Sequence, residues 1–258
     1  MLPAAARAFT STPVNETNGI VPSGTTYSWS APTVTGDLTG GASGSAQSSI
    51  TGTLSNPTNT AQTATYTITP LSGSCTGSTF TLTVTVNPTP AITAMTNTIC
   101  GSASFTASPV NNTNGIVPSG TTYTWGDPVL SPAGSLTGGS AQATGQANIS
   151  QTLTNTTNDV ATATYTVTPL SGSCPGATFT VTVTVNPRPY VNNMTNVTCG
   201  GTGFTSTPVN ETNGIVPSGT TYSWSAPTVT GGLTGGASGR FCANAFGSAC
   251  GTGGRAGF

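Results

Sequence analysis

The chain has 258 residues, only 3% of them charged where an ordinary soluble domain carries about 25%, and it holds neither lysine nor histidine. Its 4 arginines against 5 acidic residues leave a net charge of -1, so no basic stripe exists to neutralise nucleic-acid phosphates or to hold an anionic membrane surface. No apolar run nears the roughly 18 residues that a membrane span needs, and the opening MLPAAARAF is too short in its apolar part for a secretory signal.

The first regular feature is TNGIVPSGTTYSW, residues 17–29. Its Asn-Gly and Pro-Ser-Gly steps predict turns, and Tyr27 and Trp29, two apart, share the inner face of the strand that follows. Ile50 and Leu54 mark a further strand. The run ATYTI (residues 64–68) alternates apolar and polar side chains, TPLSGSC supplies turn residues, and FTLTVTV sends Phe80, Leu82, Val84 and Val86 one way and Thr81, Thr83 and Thr85 the other. These last segments read as a hairpin. In VNPTP (residues 86–90) two prolines remove backbone donors, which predicts an extended, semi-rigid link that holds neighbouring units apart.

The same order then returns. TNGIVPSGTTYTW (residues 113–125) brings Tyr123 and Trp125, Ile149 and Leu153 mark the next strand, and ATYTV, FTVTVTV and VNPRP follow by residue 189. A third TNGIVPSGTTYSW (residues 212–224) brings Tyr222 and Trp224. Nothing shows helical periodicity. Phe9, Phe105 and Phe204 hold matching places at intervals of 96 and 99 residues, too long for a solenoid unit and right for a small domain. Residues 9–44 and 204–239 differ only where Asp37 becomes Gly232, the mark of a recent duplication.

The expected organisation is a first repeat over 1–88 without its first strand, a complete repeat over 89–187, a truncated repeat over 188–239 and a divergent tail over 240–258 that carries Cys242 and Cys250. Short alternating strands punctuated by Gly and Pro, with one Trp per repeat, define an all-β fold of tandem immunoglobulin-like β-sandwich domains. The six aromatic residues Tyr27, Trp29, Tyr123, Trp125, Tyr222 and Trp224 are expected in the cores.

Six cysteines with no histidine to share a metal point to disulfides and an oxidising compartment. In the middle repeat Cys100 lies near the first strand and Cys174 in the last hairpin; their pairing would close a loop of about 75 residues, worth roughly 4 kcal/mol in the chain-entropy view. Cys75 with Cys100 across the link is the other arrangement within one chain.

The order T-x-x-x-C-G at the start of a repeat, then TTY-x-W, TATYT-[IV]-TPLSGSC and TFT-[LV]-TVTVNP, resembles the polycystic-kidney-disease-like (PKD-like) repeats of large secreted surface proteins of Bacteroidota. The resemblance runs over residues 9–239. It implies an immunoglobulin-like sandwich, a Cys100–Cys174 pair, an extracellular or cell-surface location, and a role in adhesion or as a spacer.

For catalysis the inventory is thin: Glu16, Asp37, Asp127, Asp159 and Glu211 are scattered and form no recurring carboxylate pair, so no enzyme, cofactor or metal site is expected. The reading is an extracellular structural or adhesive rod whose partners are like domains in the same or neighbouring chains. Two others stand beside it. Strand complementation between incomplete repeats would build a head-to-tail filament, residues 189–199 of one molecule completing repeat one of the next through an intermolecular Cys75–Cys199 disulfide. An array of carbohydrate-binding modules would bind surface glycans through exposed Trp. N-x-[ST] triplets at Asn15, Asn111, Asn148, Asn155, Asn193, Asn196 and Asn210 arise readily in a Thr- and Asn-rich chain.

Overall fold

The computed structural model describes residues 6–242, and every regular element in that span is a strand or bridge. In the middle repeat the larger sheet runs Met95–Cys100, Phe179–Asn186, Ala161–Ser171, Thr122–Trp125, Gln142–Gln146, with two short strands added along Ala161–Ser171. A three-stranded sheet of Ala103–Ala107, Ile149–Asn155 and Leu136–Thr137 faces it. Alternation explains the packing between them. Along Phe179–Asn186, Phe179, Val181, Val183 and Val185 are buried while the Thr residues between them stay partly or fully exposed. Those four pack with Phe105, Trp125, Leu153 and Tyr165 in one core. Burying such side chains is worth about 1.5–3 kcal/mol each.

Two buried asparagines brace the cores where strand gives way to loop. Asn155 Nδ2 donates to Asp159 O at 2.8 Å and to Val185 O at 2.9 Å, and Asn56 repeats this in the first repeat on Thr60 O and Val86 O. Each side chain satisfies carbonyls that would otherwise be stranded.

The first repeat builds the same two sheets with one difference. Its larger sheet has no described strand where Met95–Cys100 lies in the middle repeat, so Phe80–Val86 pairs only with Gln62–Ser72. Phe80, Leu82 and Val84 are left half-buried.

Residues 188–242 form only two small strand pairs, Tyr190–Val191 with Gly214–Ile215 and Thr221–Trp224 with Gly239–Cys242. Phe204 and Trp224, 69% and 51% exposed, line an uncovered cavity of about 500 Å³ with Tyr222. Their counterparts Phe105 and Trp125 are core. The expectation of core places for Tyr222 and Trp224 is therefore corrected: the described residues of this repeat supply no second sheet to cover them. The tail from residue 243, with Cys250, lies outside the described residues.

The link between the first two repeats also departs from expectation. Residues 88–92 are buried rather than extended through solvent, and Ala91–Ile92 pair with Gly115–Ile116. A side chain at Gly176 would stand 2.3 Å from Pro90 O, so the hairpin of the middle repeat closes directly on the link. Around the second link Arg188, Pro189 and Tyr190 are exposed, since no corresponding hairpin is described in the third repeat.

Candidate functional site

The thrice-written TNGIVPSG segment folds as a loop that satisfies its own backbone. In the middle repeat Val110 N donates to Asn114 Oδ1 and Val117 N to Asn111 Oδ1, each at 2.9 Å. Asn18 and Asn15 do the same in the first repeat, Asn213 and Asn210 in the third. The glycine has a second task. Gly115 holds φ +110, and a side chain there would lie 2.1 Å from Ala91 O; Gly214 meets Tyr190 O at 2.2 Å in the same way. Glycine thus lets the incoming link pair with the loop. Gly19 has open space at this place, and Ile20 is 93% exposed where Ile116 is 3%.

Tyr27, Trp29, Tyr123 and Trp125 are buried, and Trp29 and Trp125 donate Nε1–H to Ala42 O and Ser140 O. Such rings leave no flat face for a sugar. Desolvation raises the hydroxyl pKa of Tyr27, Tyr66, Tyr123 and Tyr222, and pushes that of Tyr165 up to about 12. Asn155, buried with its amide donating to two carbonyls, is withdrawn from modification.

The cysteines are where the register overturns expectation. Met95–Cys100 runs parallel to Phe179–Asn186, placing Cys100 opposite Asn186, at the end of the sheet where Val185 faces Ala161. Cys174 pairs with Ser171, at the other end of the eleven-residue strand Ala161–Ser171. At about 3.3 Å per residue the two thiols stand roughly 30 Å apart, against the 4.4–6.8 Å between Cα atoms that a disulfide spans. Cys100 and Cys174 are free, as are Cys75 and Cys199. Cys75 opposite Ser72 likewise sits at the end of its sheet remote from Gln62 and Val86.

Cys174 instead reaches the neighbouring repeat. With Ser173 it lines a cavity of about 280 Å³ whose other walls include Phe9, Leu54, Val84, Val86 and Asn87 of the first repeat. This is the flank of the closing strand that Met95–Cys100 covers in the middle repeat. Sequence reasoning missed the cavity because it joins residues of two repeats.

Among the described residues no three His, Cys, Asp or Glu side chains gather as a metal site, and no helix is long and apolar enough to cross a membrane. Two facing antiparallel-rich sheets with a buried Trp define tandem immunoglobulin-like sandwiches. The PKD-like domain family matches residues 10–90 and again 97–189, and the chain belongs to that family. No curated protein matches it. Repeats of this family point to an extracellular structural or adhesive module, and domains of this type are typically non-catalytic.

Proposed function

We propose that the chain is a section of a cell-surface or secreted rod in which successive sandwiches, stiffly joined, hold an adhesive or terminal element away from the surface, in the setting of the large Bacteroidota proteins it resembles. The buried link carries this reading. Residues 88–92 are clamped between the Gly115 loop and the Gly176 turn, so the angle between repeats is set by packing rather than by a free tether. A stiff spacer needs that property.

Small-angle X-ray scattering on the full chain tests it. The expected result is an elongated particle whose profile fits one fixed arrangement of the first two repeats. A profile that requires freely jointed sandwiches overturns the reading.

A second reading, head-to-tail assembly by strand complementation, gains support from the half-exposed flank of Phe80–Val86. The carbohydrate-binding reading gains none, since Trp29 and Trp125 are each 6% exposed and Trp224 borders an uncovered core.

A further inference from the structure

Among the described residues the first repeat leaves two edges open, and the chain carries a segment that matches both. In the middle repeat Ala91–Ile92 pair with Gly115–Ile116, after which Met95–Cys100 lie along the closing strand with Met95 opposite Val181 and Cys100 opposite Asn186. The equivalent edges of the first repeat are Gly19–Ile20, with Ile20 exposed, and Leu82 through Asn87. The second copy of the filling segment is YVNNMTNVTC, residues 190–199, beside AITAMTNTIC in the middle repeat. Met194–Cys199 is in no described strand and is exposed throughout, Val197 to 95%. It is nevertheless shaped for the role. Asn196 Nδ2 donates to Thr205 O at 3.2 Å just as Asn97 Nδ2 donates to Thr106 O at 3.3 Å.

We propose that residues 190–199 of one molecule dock on the first repeat of a second copy, and that Cys199 of the donor forms a disulfide with Cys174 of the recipient. Tyr190–Val191 exchange their pairing with Gly214–Ile215 for the same pairing on Gly19–Ile20. Met194 then lies opposite Leu82 and Cys199 opposite Asn87, on the flank of the cavity that Cys174 lines. The parallel register makes this choice. It carries the donor cysteine to the Val86 end of the sheet, away from Cys75, so the Cys75–Cys199 pair expected from sequence is replaced by Cys174–Cys199. The bond joins a strand laid on the first repeat to the hairpin of the second, and so staples neighbours along the rod rather than closing a loop inside a sandwich. The contact is head-to-tail, so each copy added offers the same edge to the next.

Bond formation takes a disulfide oxidant such as oxidised glutathione. One cysteine thiolate attacks it and releases a molecule of glutathione; the second thiolate attacks the mixed disulfide and releases the other, so the two S–H bonds lost reappear as two glutathione thiols.

This inference deepens the filament reading and rests on it. The test incubates the full chain with oxidised and reduced glutathione, then combines light scattering behind size exclusion, non-reducing electrophoresis and peptide mass spectrometry. The expected result is a ladder of oligomers whose linked peptides join Cys174 to Cys199. Cys174→Ser and Cys199→Ser each abolish the covalent ladder, Cys75→Ser leaves it intact, and Val84→Arg, which fills the groove, suppresses it. A ladder that survives Cys174→Ser, a Cys199 linked elsewhere, or a monomer with Cys174 joined to its own Cys199 overturns the inference. Oligomers without the Cys174–Cys199 bond overturn it while leaving the filament reading standing; monomers under every condition remove both.

Discussion

Tyr165 donates its hydroxyl to Gln151 Oε1 at 2.8 Å, while Tyr66, at the same place in the first repeat, finds no partner among the described residues because Gly52 stands where the middle repeat has Gln151. Both rings are fully buried. A buried hydroxyl that is paired contributes about 1 kcal/mol, and one that is not carries a desolvation cost of about 1–3 kcal/mol. Tyr66→Phe is expected to leave the first repeat unchanged or stabilised, whereas Tyr165→Phe lowers the stability of the middle repeat by about 1 kcal/mol. Urea unfolding of each variant, followed by hydrogen exchange resolved by repeat, checks that only Tyr165→Phe destabilises.

The same burial sets a pH limit. Desolvation lifts the Tyr165 hydroxyl from 10.0 to about 12, because the phenolate is disfavoured inside the core. A folded value above the unfolded one means that its stabilising contribution is whole below pH 10 and is lost as pH rises toward 12. Thermal midpoints of the middle repeat are expected to hold to about pH 10 and fall beyond it. Absorbance at the tyrosinate band checks this, with Tyr165→Phe flattening the fall.

Much of the fold was legible because period-two alternation is a direct record of one buried face. Val181, Val183 and Val185 read as inward and are 0% exposed. The cysteine pairing was not legible. Alternation tells which way a side chain points and says nothing of how far along a sheet it lies, and Cys100 and Cys174 are separated in that second direction. Their sorting depends on the parallel register of Met95 with Val181, a long-range fact with no local signal. The buried link escaped for a similar reason: prolines announce an extended backbone, but what covers Pro90 is a turn more than eighty residues downstream at Gly176.

Buried Asn155 serves two carbonyls, so removing its amide strands both. Asn155→Ala is expected to destabilise the middle repeat by about 1–3 kcal/mol, with Asn56→Ala doing the same to the first. An exposed substitution such as Thr81→Ala stays within about 0.5 kcal/mol, which separates a lost buried pairing from general sensitivity. Chemical denaturation with the two repeats read separately checks the comparison.

Glu16, Asn112 and Glu211 occupy one place in the three loops with φ of 69°, 68° and 66°. Asn and Gly adopt this left-handed region more readily than Glu. Glu16→Asn is expected to stabilise the first repeat by a few tenths of a kcal/mol, and Glu16→Gly by up to about 1 kcal/mol less any gain in unfolded-chain entropy. Asn112→Glu runs in the opposite direction. Paired thermal melts of the three variants check that the sign follows backbone preference rather than charge.

Gly176 tests whether the link is structural. Its α-carbon faces Pro90 O so closely that any side chain displaces the hairpin from the link. Gly176→Val is expected to cost about 1–3 kcal/mol of local overpacking and to free residues 88–92 from their cover. The sandwich itself lies on the far side of the hairpin and keeps its core, so near-ultraviolet dichroism from Trp125 stays as it was. The quantity that changes is the distribution of angles between the first two repeats, read as a broader scattering profile and faster amide exchange at Ala91 and Ile92. Gly77→Val is the matched control. A side chain there meets chiefly the Pro70 ring of its own hairpin, and it leaves the angle between the repeats unchanged.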